Sequence, residues 1–203
     1  MVNSLIGSTP DDWQEVQLGD FCELIAGTSI TEDPHGTVPV VKPRNLVAGR
    51  ISGPTDRTSS DEAAHRVRYR IAGGDLLAAR TGSTGRASLA TAEQKGWVFG
   101  TGIIRIRPDD RAADPLYLSL YLTHPAVRDW FSTHSSGTAI PSINTETLRS
   151  LPVTLPSMPI QRAIAQTLEA LNEKMVAHDL VSQATAELRD TLLPLLLSGR
   201  VRP

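Results

Sequence analysis

The sequence predicts an α+β protein, a β-rich body followed by one long C-terminal helix. Three observations predict it. From Trp13 to about Ile106, short apolar runs alternate with glycine and polar turns; after Pro108 the apolar spacing turns helical; and from Ile160 no proline or glycine interrupts the chain until Pro194. Strand and helix come in blocks rather than in strict alternation, which favours α+β over a doubly wound parallel sheet.

The expected strands are Glu15–Leu18, Phe21–Ile25, Val38–Val41, Asp75–Ala79, Ser88–Ala90 and Trp97–Ile106. Alternation is clearest in GIIRIRP, where Ile104 and Ile106 face opposite to Arg105 and Arg107. The stretches IAGG and RTGSTGR mark turns. In DPLYLSLYLTH, Asp114 is placed to cap a helix and Pro115 takes its first position, where a missing N–H costs nothing. HPAVRDWFSTHSSG repeats the arrangement with His124 and Pro125, and Gly137 lies beyond the end. IPSINTETLRSLPVTLP then reads as a loop, one helical turn and a closing strand, Leu151–Leu155.

Ser157 can cap the last helix, and Pro159 is tolerated in its first turn. Ile164, Leu168, Leu171 and Met175 recur at spacings of four, three and four, and Val181, Leu188, Leu192 and Leu195 are expected to carry the stripe onward. A helix of about 40 residues is about 60 Å long, so the stripe needs a partner helix, in the same chain or another. The alternative is two shorter helices folded back near His178–Asp179. These boundaries give a body over 11–156, a helical segment over 157–198, and tails at 1–10 and 199–203.

Composition narrows the class. With 40% hydrophobic and 21% charged residues, the chain has the profile of a soluble globular protein. No 18-residue apolar run occurs, LLPLLL at 192–197 is too short to span a bilayer, and MVNSLIGSTP lacks the pattern of a secretory signal. The single cysteine, Cys22, excludes an internal disulfide and points to a cytoplasmic protein. It is expected to be a small strand residue rather than a reactive thiol. Net charge is −2, yet residues 36–111 carry 13 Lys+Arg against seven acids, a surplus of +6, leaving −8 elsewhere. A basic middle between acidic flanks points to a polyanionic partner.

Several chemistries are missing. GSTGRAS at 82–88 lacks the lysine of a phosphate-binding loop, and no G-x-G-x-x-G turn follows a strand. The five histidines are scattered, without H-E-x-x-H or a Cys/His pair, so no metal and no cofactor are expected. There is no G-x-S-x-G elbow. The chain is equipped to bind rather than to catalyse.

The order of motifs resembles a target-recognition domain of a type I restriction-modification specificity subunit. The resemblance runs through WQEVQLGDFCELIAGT (13–28), VPVVKPRNLVAGRI (38–51), GGDLLAARTGSTGRA (73–87), GTGIIRIRPD, DPLYLSLYL and SSGTAIPSIN. It continues into LPVTLPSMPIQRAIAQTLEALNEKM and LLPLLLSG, covering residues 13–199. It implies a non-catalytic subunit that reads double-stranded DNA for a methyltransferase subunit and, in restriction complexes, for a nuclease/translocase subunit. The family's usual subunit holds two recognition domains apart with antiparallel long helices and reads a two-part target. This sequence contains one recognition domain and one helix, so it resembles half a subunit. The simplest completion is a homodimer through residues 160–197 that reads a palindromic split site.

Base reading needs forked donors or paired donor/acceptors on loops that enter the major groove. Three loops qualify: KPRN (Lys42, Arg44, Asn45), RTGSTGR (Arg80, Thr81, Ser83, Thr84, Arg86) and SSGT (Ser135, Ser136, Thr138). Gly82, Gly85 and Gly137 would let backbone approach phosphates closely. Arg66 and Arg68 are expected to position on phosphate instead. Two rival readings stay open: an assembly adaptor that works through its helix without touching DNA, and a nuclease, which the missing metal cluster disfavours.

Overall fold

Four sheets and six α-helices are built from residues 1–53, 55–81, 85–137, 141–198 and 200, which the computed structural model describes. In chain order the strands are β1 (Val2–Ser4), β2 (Gly7–Thr9), β3 (Gln14–Gln17), β4 (Cys22–Ala26), β5 (Val38–Val41), β6 (Leu46–Val47) and β7 (Arg50–Ile51). Then come β8 (Asp56–Thr58), β9 (Leu76–Ala79), β10 (Ala87–Leu89), β11 (Val98–Phe99), β12 (Ile103–Pro108) and β13 (Pro152–Leu155). The helices are α1 (Leu18–Phe21), α2 (Ser60–His65), α3 (Pro115–Tyr121), α4 (Pro125–His134), α5 (Thr145–Arg149) and α6 (Met158–Leu197). The chain divides into two compact units, Met1–Arg162 and Ala163–Pro203.

A six-stranded sheet in the order β4-β12-β9-β10-β7-β6 organises the first unit. Its inner strands β9 and β12 are buried on both faces: Leu76, Leu77, Ala78, Ala79, Ile103, Ile104 and Ile106 are all at most 1% exposed. One face gathers Ile25, Val41, Leu46, Ile71, Leu77, Phe99 and Ile103 into a core cluster, and α3 packs on β10. A second sheet, β11-β5-β8, shelters a smaller cluster of Ile30, Val40, Ala63 and Val98.

Several elements differ from the sequence reading. The expected strand Trp97–Ile106 is two strands in two sheets, because Gly102 adopts φ +84° and the chain crosses from β11 to β12 there. Leu18 opens the short helix α1 instead of ending a strand; Asp20 accepts the Gln17 N–H at 3.1 Å, and the Leu18 N–H donates to Leu151 O at 2.9 Å. Residues 1–10, expected as a tail, contain the β1–β2 hairpin. Of the tail at 199–203, all but Arg200 lies outside the described residues. The helix α2 was absent from the expected elements although Ser59 caps it, accepting from the Glu62 N–H at 3.1 Å. Cys22 is buried at the start of β4, and burial pushes its thiol pKa up.

Arg105 departs furthest from expectation. Alternation puts it opposite Ile104, but that face is covered too, and Arg105 is only 2% exposed. Its guanidinium donates to the Arg68 and Arg70 carbonyls, both at 3.0 Å, and to Glu23 at 2.6 Å, and lies 5.8 Å from the Phe99 ring centre. Arg107 forks onto buried Asp75 at 2.6 and 2.8 Å. A buried charge is tolerated only when paired and hydrogen-bonded; Arg105 meets that demand through its two terminal nitrogens, although its Nε is buried without a partner, and half-exposed Arg107 meets it for the buried carboxylate of Asp75.

Asp114 and His124 cap α3 and α4 as expected, Asp114 accepting from the Leu116 and Tyr117 N–H groups. The closing strand β13 pairs with β3 and is tied to α3 by Tyr117, whose hydroxyl donates to Thr154 O at 2.7 Å. The first turn of α6 is then pinned by Gln161, 1% exposed. Its amide donates to Ala112 O (3.1 Å) and Pro156 O (2.9 Å) and accepts from the Asp114 N–H (2.9 Å). The helix itself is continuous over 40 residues, which settles against two shorter helices. Among the described residues, no helix is long and apolar enough to cross a membrane.

A buried polar group stripped of its partner costs about 1–3 kcal/mol. Gln161→Leu, which orphans the Asp114 N–H and two carbonyls, is expected to lower unfolding free energy by about that amount. Urea titration should show a reduced midpoint at unchanged slope; an unmoved midpoint would show that the clasp contributes nothing.

Candidate nucleic-acid interface

The three loops singled out from the sequence meet. The Arg80 N–H donates to Gly102 O at 2.8 Å, and Arg80 O accepts from the Ile143 N–H at 2.9 Å, so its peptide is held on both sides. Thr81 bridges to Ser142, which also pairs with Ser136 through reciprocal N–H to carbonyl bonds of 2.8 Å. Arg86 donates to Pro43 O at 3.1 Å, joining the second loop to the first. Pro43, Arg80, Thr81, Thr101, Gly102 and Ser142 line a depression of about 470 Å³.

Within this region the expected residues divide. Thr81, Arg86 and Ser136 are exposed, and Arg80 is half-buried. Ser83, Thr84 and Thr138, with Gly82, lie outside the described residues. Among the described residues, no carboxylate pairs with Arg80, Arg86 or Arg68. Thr101, Gly102 and Ser142 were not singled out. Thr101 and Gly102 stand in a stretch read as continuous strand, and only the two-sheet crossover brings them to the loops.

The KPRN loop has a different character. Lys42 contacts Glu32 and lies 2.6 Å from Asp56, while Arg44 reaches the other Asp56 oxygen at 2.5 Å. Asp56 and then Glu32 raise the Lys42 pKa above the ordinary lysine value, and Lys42 and Arg44 lower that of Asp56. Asn45, expected to read a base, is 1% exposed, with its amide turned inward. It accepts from the Lys42 N–H at 3.0 Å and donates to Ser52 O at 3.2 Å. Its role is to shape the loop.

Arg66 and Arg68 do not line the depression. Arg66 pairs with Glu62 one helical turn away at 2.9 Å, and Arg68 lends its carbonyl to Arg105 while its side chain is exposed. Gly85 also differs from expectation. At φ +81°, a Cβ there would lie 2.7 Å from the Phe131 ring, so this glycine is required for packing on α4.

The eight apolar positions expected to form one stripe on α6 follow a repeat near seven residues, which drifts by about 20° per heptad around a straight helix and stays on one side of a supercoiled one. At 100° per residue, Ile164, Leu168, Leu171 and Met175 fall within about 60° of one another. Val181, Leu188, Leu192 and Leu195 centre roughly 120° away. Leu193 and Leu196 return to the first face. Leu168, Leu171, Met175, Val181 and Leu188 are 40–65% exposed.

A model of the type I restriction modification DNA specificity domain matches residues 10–181. The chain is 26% identical over 199 residues to the type I restriction enzyme HindI specificity subunit of Haemophilus influenzae, covering 95% of this chain and 42% of that one. Its fold is similar to a chain from a type I R-M system complex (TM-score 0.68, 20% identity, 93% of this chain and 45% of the other). It is also similar to the type I restriction-modification S subunit from M. genitalium (TM-score 0.63, 18% identity, 97% and 49%). The chain thus spans less than half the length of each relative.

Gly102 carries a direct test of the loop junction. Its φ of +84° disfavours any side chain, and a Cβ would meet the Pro43 ring at 2.8 Å. Gly49 has a similar φ of +78° with open space around it. Gly102→Ala is expected to cost about 1–3 kcal/mol and to lower the melting temperature more than Gly49→Ala. Equal losses would mean that strain at φ, not loop contact, accounts for both.

Proposed function

The chain belongs to the type I restriction modification DNA specificity family, and on that premise we propose that it reads double-stranded DNA through the depression where its three loops converge. The observation that carries this reading is the pair Arg80 and Arg86, placed beside the depression without counter-carboxylates among the described residues. Arginine presents a fork that matches guanine O6 and N7, the commonest specific base contact. Thr81 and Ser136 supply hydroxyls beside it, Arg44 offers a second fork, and Ser83, Thr84 and Thr138 join the proposed readers on the sequence pattern alone. Arg66 and Arg68 contact phosphate and fix register rather than sequence. Lys42 stands in the same reading loop as Arg44.

In this reading the chain carries no catalytic step and directs a DNA methyltransferase subunit, and in a restricting complex a nuclease/translocase subunit. Two copies associate through α6 and read a bipartite palindromic site. The exposed Leu168, Leu171 and Met175 support association, because each apolar side chain contributes about 1.5–3 kcal/mol on full burial. Several together offset an association cost of about 4–15 kcal/mol. The methyltransferase subunit is assigned the apolar surface of α6 that the helix pair leaves uncovered.

Arg80→Ala or Arg86→Ala is expected to cost ~1–3 kcal/mol at a cognate base pair and to relax preference there; binding selections on random duplexes would show it. If both variants keep the affinity and preference of the parent, the loops do not read bases. For association, light scattering at micromolar concentration is expected to give twice the 21.9 kDa chain mass. Leu171→Glu/Met175→Glu should return the single mass. A strictly monomeric parent would sink the dimer for the free protein.

A further inference from the structure

The ion-pair cluster at the KPRN loop is built rather than incidental. Asp56 opens β8 opposite Val40 of β5, so its side chain shares a face with Lys42, two residues beyond Val40. Glu32 is fixed beside it by its neighbours, since the Asp33 N–H donates to Arg57 O at 2.9 Å and Thr58 Oγ1 donates to Thr31 O at 2.7 Å. Strand pairing in the second sheet, with these two hydrogen bonds, therefore delivers two carboxylates to two cations. Asp56 Oδ2 is itself buried and lies 2.6 Å from Lys42 Nζ, with Asp56 Oδ1 2.5 Å from Arg44.

We propose that Glu32 and Asp56 are a charge mask that suppresses sequence-independent DNA binding by the Lys42–Arg44 loop, and so help determine specificity. The inference rests on the DNA-reading function above. Non-specific affinity comes from cations that displace condensed counterions on the phosphate backbone. A cation already neutralised by a fixed carboxylate contributes little to that displacement. The mask leaves the rest of the Arg44 fork, 55% exposed, available to a base edge. Only a site presenting the right acceptors then compensates for loosening the ion pairs. Arg80 and Arg86, unmasked, supply attraction everywhere; the masked loop adds affinity selectively.

The test uses the full chain, a mixed-sequence duplex and a salt series read by fluorescence anisotropy. Each carboxylate removed unmasks one positive charge, which steepens the slope of log K against log salt by about 0.9. Glu32→Gln and Asp56→Asn are each expected to show that change, and the double variant about twice it, with tighter binding to the mixed-sequence duplex at low salt. Exposed Asp110→Asn, outside the cluster, is the control for net charge alone. Unchanged slopes in folded variants, or an equal change in Asp110→Asn, would overturn the mask. Weaker binding would also overturn it, making the carboxylates supports for the loop. If Asp56→Asn does not fold, Glu32→Gln decides alone, because Glu32 is half-exposed. A parent chain without salt-sensitive binding overturns the DNA-reading function and the mask with it, whereas parent binding with unmoved slopes overturns only the mask.

Discussion

The candidate site depends on how the backbone of Arg80 is satisfied. Peptide groups at a strand end must find partners. Arg80, one residue past β9, extends the β9–β12 register by donating to Gly102, and its carbonyl accepts from Ile143. Those two bonds bring together segments more than twenty residues away on one side and more than sixty on the other. Ser142, one residue before Ile143, then pairs with Ser136. The convergence of loops follows from hydrogen-bond completion at the end of an inner strand, and the arginine side chain inherits a position from a peptide held on both sides.

Charge shows why composition alone is an incomplete guide to such a surface. The basic middle of the sequence is real, but much of it serves the fold. Arg105 and Arg107 answer Glu23 and Asp75, Arg66 answers Glu62, and Lys42 and Arg44 answer Glu32 and Asp56. A pair at the surface contributes little to stability, but the buried Arg105 is different: its donors satisfy two carbonyls that no ladder reaches. Acidic residues distant in sequence cancel several of the cations that a count assigns to a polyanion. Arg80 and Arg86, like Arg68, have no such partners among the described residues; what distinguishes the two is their place where the loops converge, which only three-dimensional neighbours reveal.

The legible parts of the fold were those set by local chemistry. Asp114–Pro115 and His124–Pro125 started helices where capping requires, Val38–Val41 kept its predicted bounds, and the long uninterrupted run after Ile160 became one helix. The misread parts were set by tertiary geometry. Apolar continuity from Trp97 to Ile106 concealed a change of sheet at Gly102, and alternation in GIIRIRP concealed that both faces are covered. The helix after Ser59 is a different case, because its serine and the glutamate three residues on form a recognisable start signal that was passed over. At the site, the loops were legible from glycine and hydroxyl content, but the inward turn of Asn45 was not. The same asparagine amide that can read adenine can equally close a turn.

The two units put their apolar side chains to different uses. In the first, Leu118, Leu148, Leu151 and Val153 are fully buried. In the second, apolar side chains stand exposed along one helix in a stripe that drifts around it by about 120° when the helix is drawn straight. Uniform amphipathicity would favour a two-stranded coil, which buries one seam. A shift of face partway along the helix cannot be served by a single straight neighbour. Either the neighbour wraps or successive halves meet different helices. Polar His178 and Ser182 fall on the face that Ile164 and Leu171 begin, so they interrupt the apolar seam there. Helix length therefore sets how far apart the ends of the exposed stripe lie, and its drift sets whether one wrapping neighbour or several straight ones would cover it.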